Sequence, residues 1–202
     1  GFTPHYGYIE VQCRATITAR SMFSAWMVGL EDEPDRCGEI CIVEVFGDTV
    51  TTDGNGRSAA SIGCGVHAFR DPRLTEAFAA GFRPIDISIN HRYAVDWQPG
   101  RVEFLVDDVP VRRVDQAPDY PMQLILGIFD FSGRGPAAVR AGSEPGLRRR
   151  YPARRHLELH VAAVMLRRHG ENREISTWMP DGMLEGRASG IRRLFFRTHA
   201  NG

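Results

Sequence analysis

The chain has 202 residues, 43% of them hydrophobic and 25% charged, with a formal net charge of zero. That is enough for one sizeable core and too little to require two domains. All 25 basic residues are Arg, but the balanced charge gives no drive toward nucleic acid or an anionic membrane surface, and no apolar stretch is long enough to span a bilayer as a helix. The start, Gly1-Phe-Thr-Pro-His5, has neither an initiator Met nor the apolar core of a signal peptide. The chain is therefore expected to begin inside a domain, and its localisation is not read from it. Ile9, Val11, Cys13 and Ala15 alternate with Tyr8, Glu10, Gln12 and Arg14, the pattern of a strand with one buried face. Residues 38–47 are apolar and β-prone. Asp71-Pro-Arg-Leu-Thr-Glu-Ala-Phe-Ala-Ala80, ended by Gly81, offers an Asp N-cap and Pro at the first helical position, which predicts a helix of two or three turns. Tyr93, Val95 and Trp97 share a face, Pro99-Gly100 turns the chain, and Val102, Phe104 and Val106 repeat the alternation before a second turn at Asp107-Asp108. Met122, Leu124, Leu126 and Ile128 predict a further strand, and Leu157, Leu159 and Val161 another.

Short strands separated by turn signals predict an all-β fold of two antiparallel sheets packed face to face. Residues 132–155, rich in Gly and Pro and carrying the Arg148-Arg149-Arg150 and Arg154-Arg155 runs, read as a solvated insertion loop, with a patch for phosphate or an anionic glycan as the alternative. The tail, residues 167–202, has apolar clusters at 175–179 and 191–196 but no assigned role. Cys13, Cys37, Cys41 and Cys64 lack the spacing of a structural zinc site and are expected as free, buried thiols.

Chemistry enters at Gly38-Glu-Ile-Cys-Ile-Val-Glu-Val-Phe-Gly47, where Glu39 and Glu44 stand five positions apart. Strict alternation would put them on opposite faces. A β-bulge at Ile42–Val43 brings Glu39, Cys41 and Glu44 to one face and leaves Ile40 and the bulged pair to the other. Two carboxylates held together on one face are the minimum equipment for cleaving a glycosidic bond. An acidic pair that merely solvates an exposed strand is the alternative, and other motifs have to decide between them.

Those motifs exist. The segment resembles the signature of glycoside hydrolase family 16, the β-jelly-roll glucanases, whose bulged form runs Glu-x-Asp-x-x-Glu. Tyr6-Gly-Tyr-Ile-Glu10 resembles the family's Tyr-Gly-x-x-Glu strand, and Phe23-Ser-Ala-Trp26 the aromatic strand before the catalytic one. His91-Arg-Tyr-Ala-Val-Asp-Trp97-Gln-Pro99 is similar to its His-x-Tyr-x-x-x-Trp-x-Pro hairpin, and Tyr120-Pro-Met-Gln-Leu124 to its Pro-Met-x-Leu strand. Order and spacing agree over roughly residues 6–131. The resemblance implies a jelly-roll sandwich of the concanavalin A-like kind over residues 1–166, normally with further strands before the Tyr-Gly motif. It also implies a polysaccharide substrate and secretion by analogy.

Carried onto matching positions, the resemblance makes Glu39 the nucleophile and Glu44 the general acid/base of a retaining hydrolase, with carboxyls ~5–5.5 Å apart. Cys41 stands where the family has Asp. A thiol there stays neutral and offers only a weak donor, so reduced activity with an acid-shifted optimum is expected rather than loss. Glu10, Trp26, His67 and Phe129 are the expected substrate-binding residues: Glu10 through a hydroxyl, Trp26 and Phe129 by stacking, and His67 by binding sugar or orienting Glu44. Gly127 replaces a family Asn, and Trp97 is assigned to the core. No cofactor is expected. A structural Ca2+ occurs in relatives, but no ligands for it can be named here. A non-catalytic glycan-binding module on the same scaffold is the second reading.

Overall fold

The computed structural model describes residues 3–30, 32–131 and 157–167, together with the backbone of three short strands in the tail. Its strands, in chain order, are β1 (Gly7–Thr16), β2 (Ser21–Gly29), β3 (Glu39–Phe46), β4 (Thr51–Thr52), β5 (Ser58–His67), β6 (Ala77–Arg83), β7 (His91–Gln98), β8 (Arg101–Val106), β9 (Val109–Val114), β10 (Met122–Asp130), β11 (Glu158–Arg167), β12 (Glu174–Thr177), β13 (Gly182–Glu185) and β14 (Arg192–Phe195). They form two antiparallel sheets. The back sheet runs β12-β11-β1-β7-β8-β9, with β13 also on β11; the front sheet runs β14-β10-β2-β3-β5-β4, with β6 on β5. This is the two-sheet antiparallel sandwich that the alternation predicts, and the jelly roll that the resemblance implies. The segment 132–155 lies outside the described residues.

The core is the shared interior of the two sheets. Ile9, Val11, Tyr93, Val95, Trp97 and Phe104 come from the back sheet and meet Phe23, Met27, Ile40, Met122, Leu124 and Leu126 from the front. Trp97 is fully buried, as assigned. Its indole N–H is not orphaned, because it donates to the Pro118 carbonyl at 3.0 Å. The β7–β8–β9 meander turns where expected. Asp107 and Asp108 both take left-handed backbone angles, φ 50° and 66°, which a two-residue hairpin turn requires and Asp tolerates. Asp107 is fixed there by the Arg92 N–H at 2.9 Å and His91 Nδ1 at 2.7 Å.

The helix expected over 71–80 does not form. Asp71 does cap, but it caps a turn: its Oδ1 accepts from the Arg73 N–H at 2.9 Å, and the Leu74 N–H reaches the Asp71 carbonyl at 3.2 Å. Its other oxygen accepts from the buried Tyr120 hydroxyl at 2.8 Å. Downstream, Ala77–Arg83 pairs with β5 over seven residues. A strand edge that must be covered outweighs the weak helix propensity of seven residues. The tail contributes to both sheets: β12 and β13 pair with β11, and β14 pairs with β10.

Candidate active site

The site is built by the register of β3. On the β5 side Cys41 faces Gly65 and Glu44 faces Gly63, so Ile42 and Val43 together oppose Cys64. On the β2 side Trp26 faces Cys41 and Ala25 faces Val43. The bulge is therefore at Ile42–Val43, as the sequence predicts, and its effect on orientation is visible in the packing. Ile40, Ile42, Val43 and Val45 all enter the core, while Glu39, Cys41 and Glu44 belong to the outer face of the front sheet. The extra residue leaves a backbone carbonyl without its place in the ladder, and Ser24 of β2 supplies the partner, donating its hydroxyl to the Val43 carbonyl at 2.9 Å. Since that hydroxyl has one proton, the thiol of Cys41, 4.0 Å from Ser24 Oγ, is left as donor in a weak contact.

Pairing arranges the outer face in rows across the strands. The row of Glu39 reads Gln123, Val28, Glu39, His67; that of Cys41 reads Ile125, Trp26, Cys41, Gly65, Phe78; that of Glu44 reads Gly127, Ser24, Glu44, Gly63, Ala80. Small residues flank Glu44 and aromatics stand to either side. On the β10 side the Trp26 and Phe129 rings lie 5.8 Å apart, and Phe129 stacks on Phe131, which stacks on Phe46. On the β6 side His67 stacks on Phe78 at 4.7 Å and meets Phe69 at 5.8 Å. Gly63 permits this second wall: a Cβ there would lie 2.5 Å from Phe78 Cζ.

The electrostatics follow from crowding two carboxylates and a thiol on a half-buried strand. Burial, then Glu44, then Glu76 push the Glu39 carboxyl up to about 8. Burial, followed by Glu44 and Glu39, also holds the Cys41 thiol well above its ordinary value, so it stays neutral, as expected beside two carboxylates. The two glutamates thus resist double ionisation and retain one proton between them through neutrality. The start of β3 is anchored from outside the sheet, because the Gly38 N–H donates to Tyr120 Oη at 2.8 Å and Tyr120 in turn donates to Asp71. Although burial opposes its charge, hydrogen bonds from Arg73 and Tyr120 hold Asp71 below the usual carboxylate range.

Of the residues expected to serve the site, Glu39, Cys41, Glu44, Trp26, His67 and Phe129 share the outer face of the front sheet. Two placements differ from expectation. Glu10 is on β1 of the back sheet, on the side away from the core, where Tyr8 donates to it at 3.1 Å; it is not brought to the acidic pair. His67 lies opposite Glu39 rather than Glu44, and its Nδ1 is 2.7 Å from Glu76 Oε1. Glu76 and Phe78 were missed because the segment carrying them reads as a helix, which scrambles the faces. The signal that could have found them is Ala77-Phe-Ala-Ala-Gly-Phe82, an edge-strand composition with a Gly inside. Among the described residues no three side chains from His, Cys, Asp and Glu are grouped to hold a metal ion.

The front sheet of the sandwich thus carries an acidic pair on the outer face of a bulged strand. Residues 2–142 match the family model described as glycosyl hydrolases family 16, and the chain belongs to that family. Among solved structures it is similar to the GlcNAcα1-4Gal-releasing endo-β-galactosidase from Clostridium perfringens, at 25% identity and a TM-score of 0.55, over 66% of this chain and 34% of that one. It also matches the catalytic domain of an endo-1,3-β-glucanase (laminarinase) from Thermotoga petrophila RKU-1, at 23% identity and a TM-score of 0.49, over 63% of this chain and 54% of that one. A third match is the laminarinase from Rhodothermus marinus, at 21% identity and a TM-score of 0.47, over 65% and 58%. The chain thus spans between a third and three-fifths of these structures. A comparison with curated proteins gives no match.

Proposed function

We propose that this chain carries the catalytic face of a retaining, endo-acting glycoside hydrolase, with a β-1,3- or mixed-linkage β-glucan as substrate. The observation that carries the reading is the bulge at Ile42–Val43, which puts Glu39 and Glu44 on one face with only Cys41 between them. Glu39 attacks the anomeric carbon as the glycosidic C–O bond breaks and Glu44 gives its proton to the leaving oxygen. Glu44 then takes a proton from water, whose oxygen attacks the same carbon and releases Glu39. This cycle needs the pair singly protonated. Burial and then the neighbouring Glu44 oppose charge on Glu39, so the two carboxyls resist double ionisation, and the cycle starts from the microstate with the shared proton on Glu44 and the charge on Glu39. Trp26, Phe129 and Phe78 offer ring faces to sugars on either side of the carboxylates. A polymer lying across the strands fits their arrangement, since neighbouring strands are spaced ~4.8 Å apart, close to one sugar residue.

The glucan assignment rests on the bulged Glu-x-x-x-x-Glu segment and its ordered companions. The likeness to an endo-β-galactosidase favours a galactan-type polymer as the second substrate reading. Cys41, neutral where the family pattern has a carboxylate, favours a third reading, in which the face binds glycan with little or no turnover. The test is reducing-end release from laminarin, mixed-linkage β-glucan, agarose and carrageenan, with Glu39→Gln as control. Release abolished in the control establishes the hydrolase and names its polymer. Binding of one polymer without release by the folded protein favours the glycan-binding reading.

A further inference from the structure

We propose that Glu76, paired with His67, is a positioning residue that supplies from the segment before β6 the third negative charge that Cys41 no longer supplies from β3. This rests on the hydrolase reading for its catalytic meaning, but its electrostatic content can be measured without turnover. His67 occupies the position on β5 directly opposite Glu39, and Glu76 Oε1 is 2.7 Å from His67 Nδ1. A contact this exposed, with Glu76 60% accessible, would by itself be loose and weak. Here both partners are held. The His67 ring is flanked by Phe78 and Phe69. The residue before Glu76 is clamped by Gln116, whose Oε1 accepts from the Thr75 N–H at 2.9 Å and the Thr75 hydroxyl at 3.2 Å, while its Nε2 donates to the Thr75 carbonyl at 2.6 Å.

The charge reaches the catalytic pair. The groups acting on Glu39 are Glu44 from its own strand and Glu76 from the segment before β6, with His67 opposite on β5 and the uncharged Val28 opposite on β2. A carboxylate near Glu39 disfavours removal of the last proton from the pair. That is the electrostatic effect a carboxylate at position 41 would have, and the neutral thiol does not have it. Pairing with the Glu76 carboxylate also fixes the imidazole: a proton on Nδ1 donates to Glu76, and Nε2 is left as the free ring nitrogen on the outer face.

The experiment is a pH titration of the glutamate side-chain carboxyl carbons by 13C NMR in the wild-type protein, Glu76→Gln, Glu76→Asp, Cys41→Asp and the Cys41→Asp/Glu76→Gln double variant, with Glu39→Gln assigning the resonance. The Glu39 midpoint is expected to fall by about half a pH unit or more in Glu76→Gln, to stay near wild type in Glu76→Asp, and to return upward in the double variant. Where a polymer is cut, the pH profile of kcat/KM, which reports the coupled pair, moves with the midpoint. A Glu39 midpoint that is the same in wild type and Glu76→Gln overturns the proposal, as does a double variant that fails to recover. Shifting midpoints in a protein that cuts no polymer leave the electrostatic role of Glu76 standing and remove the hydrolase reading.

Discussion

Glu39 is a carboxyl whose surroundings oppose its charge, and this makes it a stability liability with a definite sign. Its folded-state value is raised from 4.5 to about 8 by burial, Glu44 and Glu76. The folded protein therefore keeps a proton that the unfolded chain surrenders, and stability drains away as pH rises through that window. Glu39→Gln removes the effect. It is expected to be more stable than wild type by about 1–3 kcal/mol near pH 8.5 and equal to it near pH 4.5, read by urea unfolding at both values. Cys41→Asp is expected to raise kcat/KM by about tenfold or more and to extend activity toward alkaline pH, read from full pH profiles. The tryptophans separate packing from recognition. Trp97→Ala should cost about 3–5 kcal/mol of stability. Trp26→Ala, which removes a ring outside the core, should weaken polymer binding by about tenfold while costing far less stability, checked by calorimetry on both variants. Their placement, Trp97 in the core and Trp26 on the outer face, was legible in the sequence because the two indoles sit in different strand patterns. Glu76 was not legible, since its partnership with His67 depends on two strands meeting across nine positions of chain.

At the level of elements, the bulge decides whether the face has any chemistry. A one-residue slip reverses every side chain beyond it, and the doubled inward pair Ile42–Val43 is what brings Glu44 back to the outer face. Deleting Ile42 leaves Glu39, Cys41 and Glu44 outward by strict alternation. It is therefore expected to lower the melting temperature through the lost core side chain without turning Glu44 inward, read by thermal scanning and polymer cleavage. Gly65 holds the neighbouring strand. Its φ is +151°, and a Cβ would lie 2.3 Å from the Ala77 carbonyl oxygen, so Gly65→Ala is expected to destabilise by about 2–4 kcal/mol and to loosen β6, seen as faster amide exchange over 77–83. The bulge could be foreseen because only one insertion point puts both glutamates outside and four apolar residues inside. The identity of 71–80 could not. Asp71-Pro is a genuine local start signal, but its carboxylate is claimed by Tyr120, 49 positions away in sequence, and a long-range contact of that kind leaves no trace in local pattern.

Across the whole molecule, the strands beyond Arg167 close the sandwich on two sides. β12 and β13 cover the outer edge of β11, and β14 covers the outer edge of β10, the strand that carries Phe129. A chain ending at Arg167 presents both edges as pairing templates. It is expected to melt about 5 °C or more below the full chain and to self-associate, measured by thermal scanning and sedimentation. The sheet assignment of the tail was hidden from sequence because short edge strands carry too few residues to show a period. The larger architecture was visible because its longer strands, six to ten residues each, carry enough positions to show a period of two.

The four cysteines are free and all buried, and they are distributed so as to report on different parts of the fold. Cys13 lies in the back sheet, Cys41 at the bulge, Cys64 opposite it, and Cys37 just before β3, where its sulfur accepts from the Arg70 N–H at 3.3 Å. A thiol reagent cannot reach any of them without a local opening, and each opening has its own free energy. The native protein therefore carries four built-in clocks, and the order in which they are alkylated gives the sequence in which the front sheet, the back sheet and the approach to the acidic strand come apart.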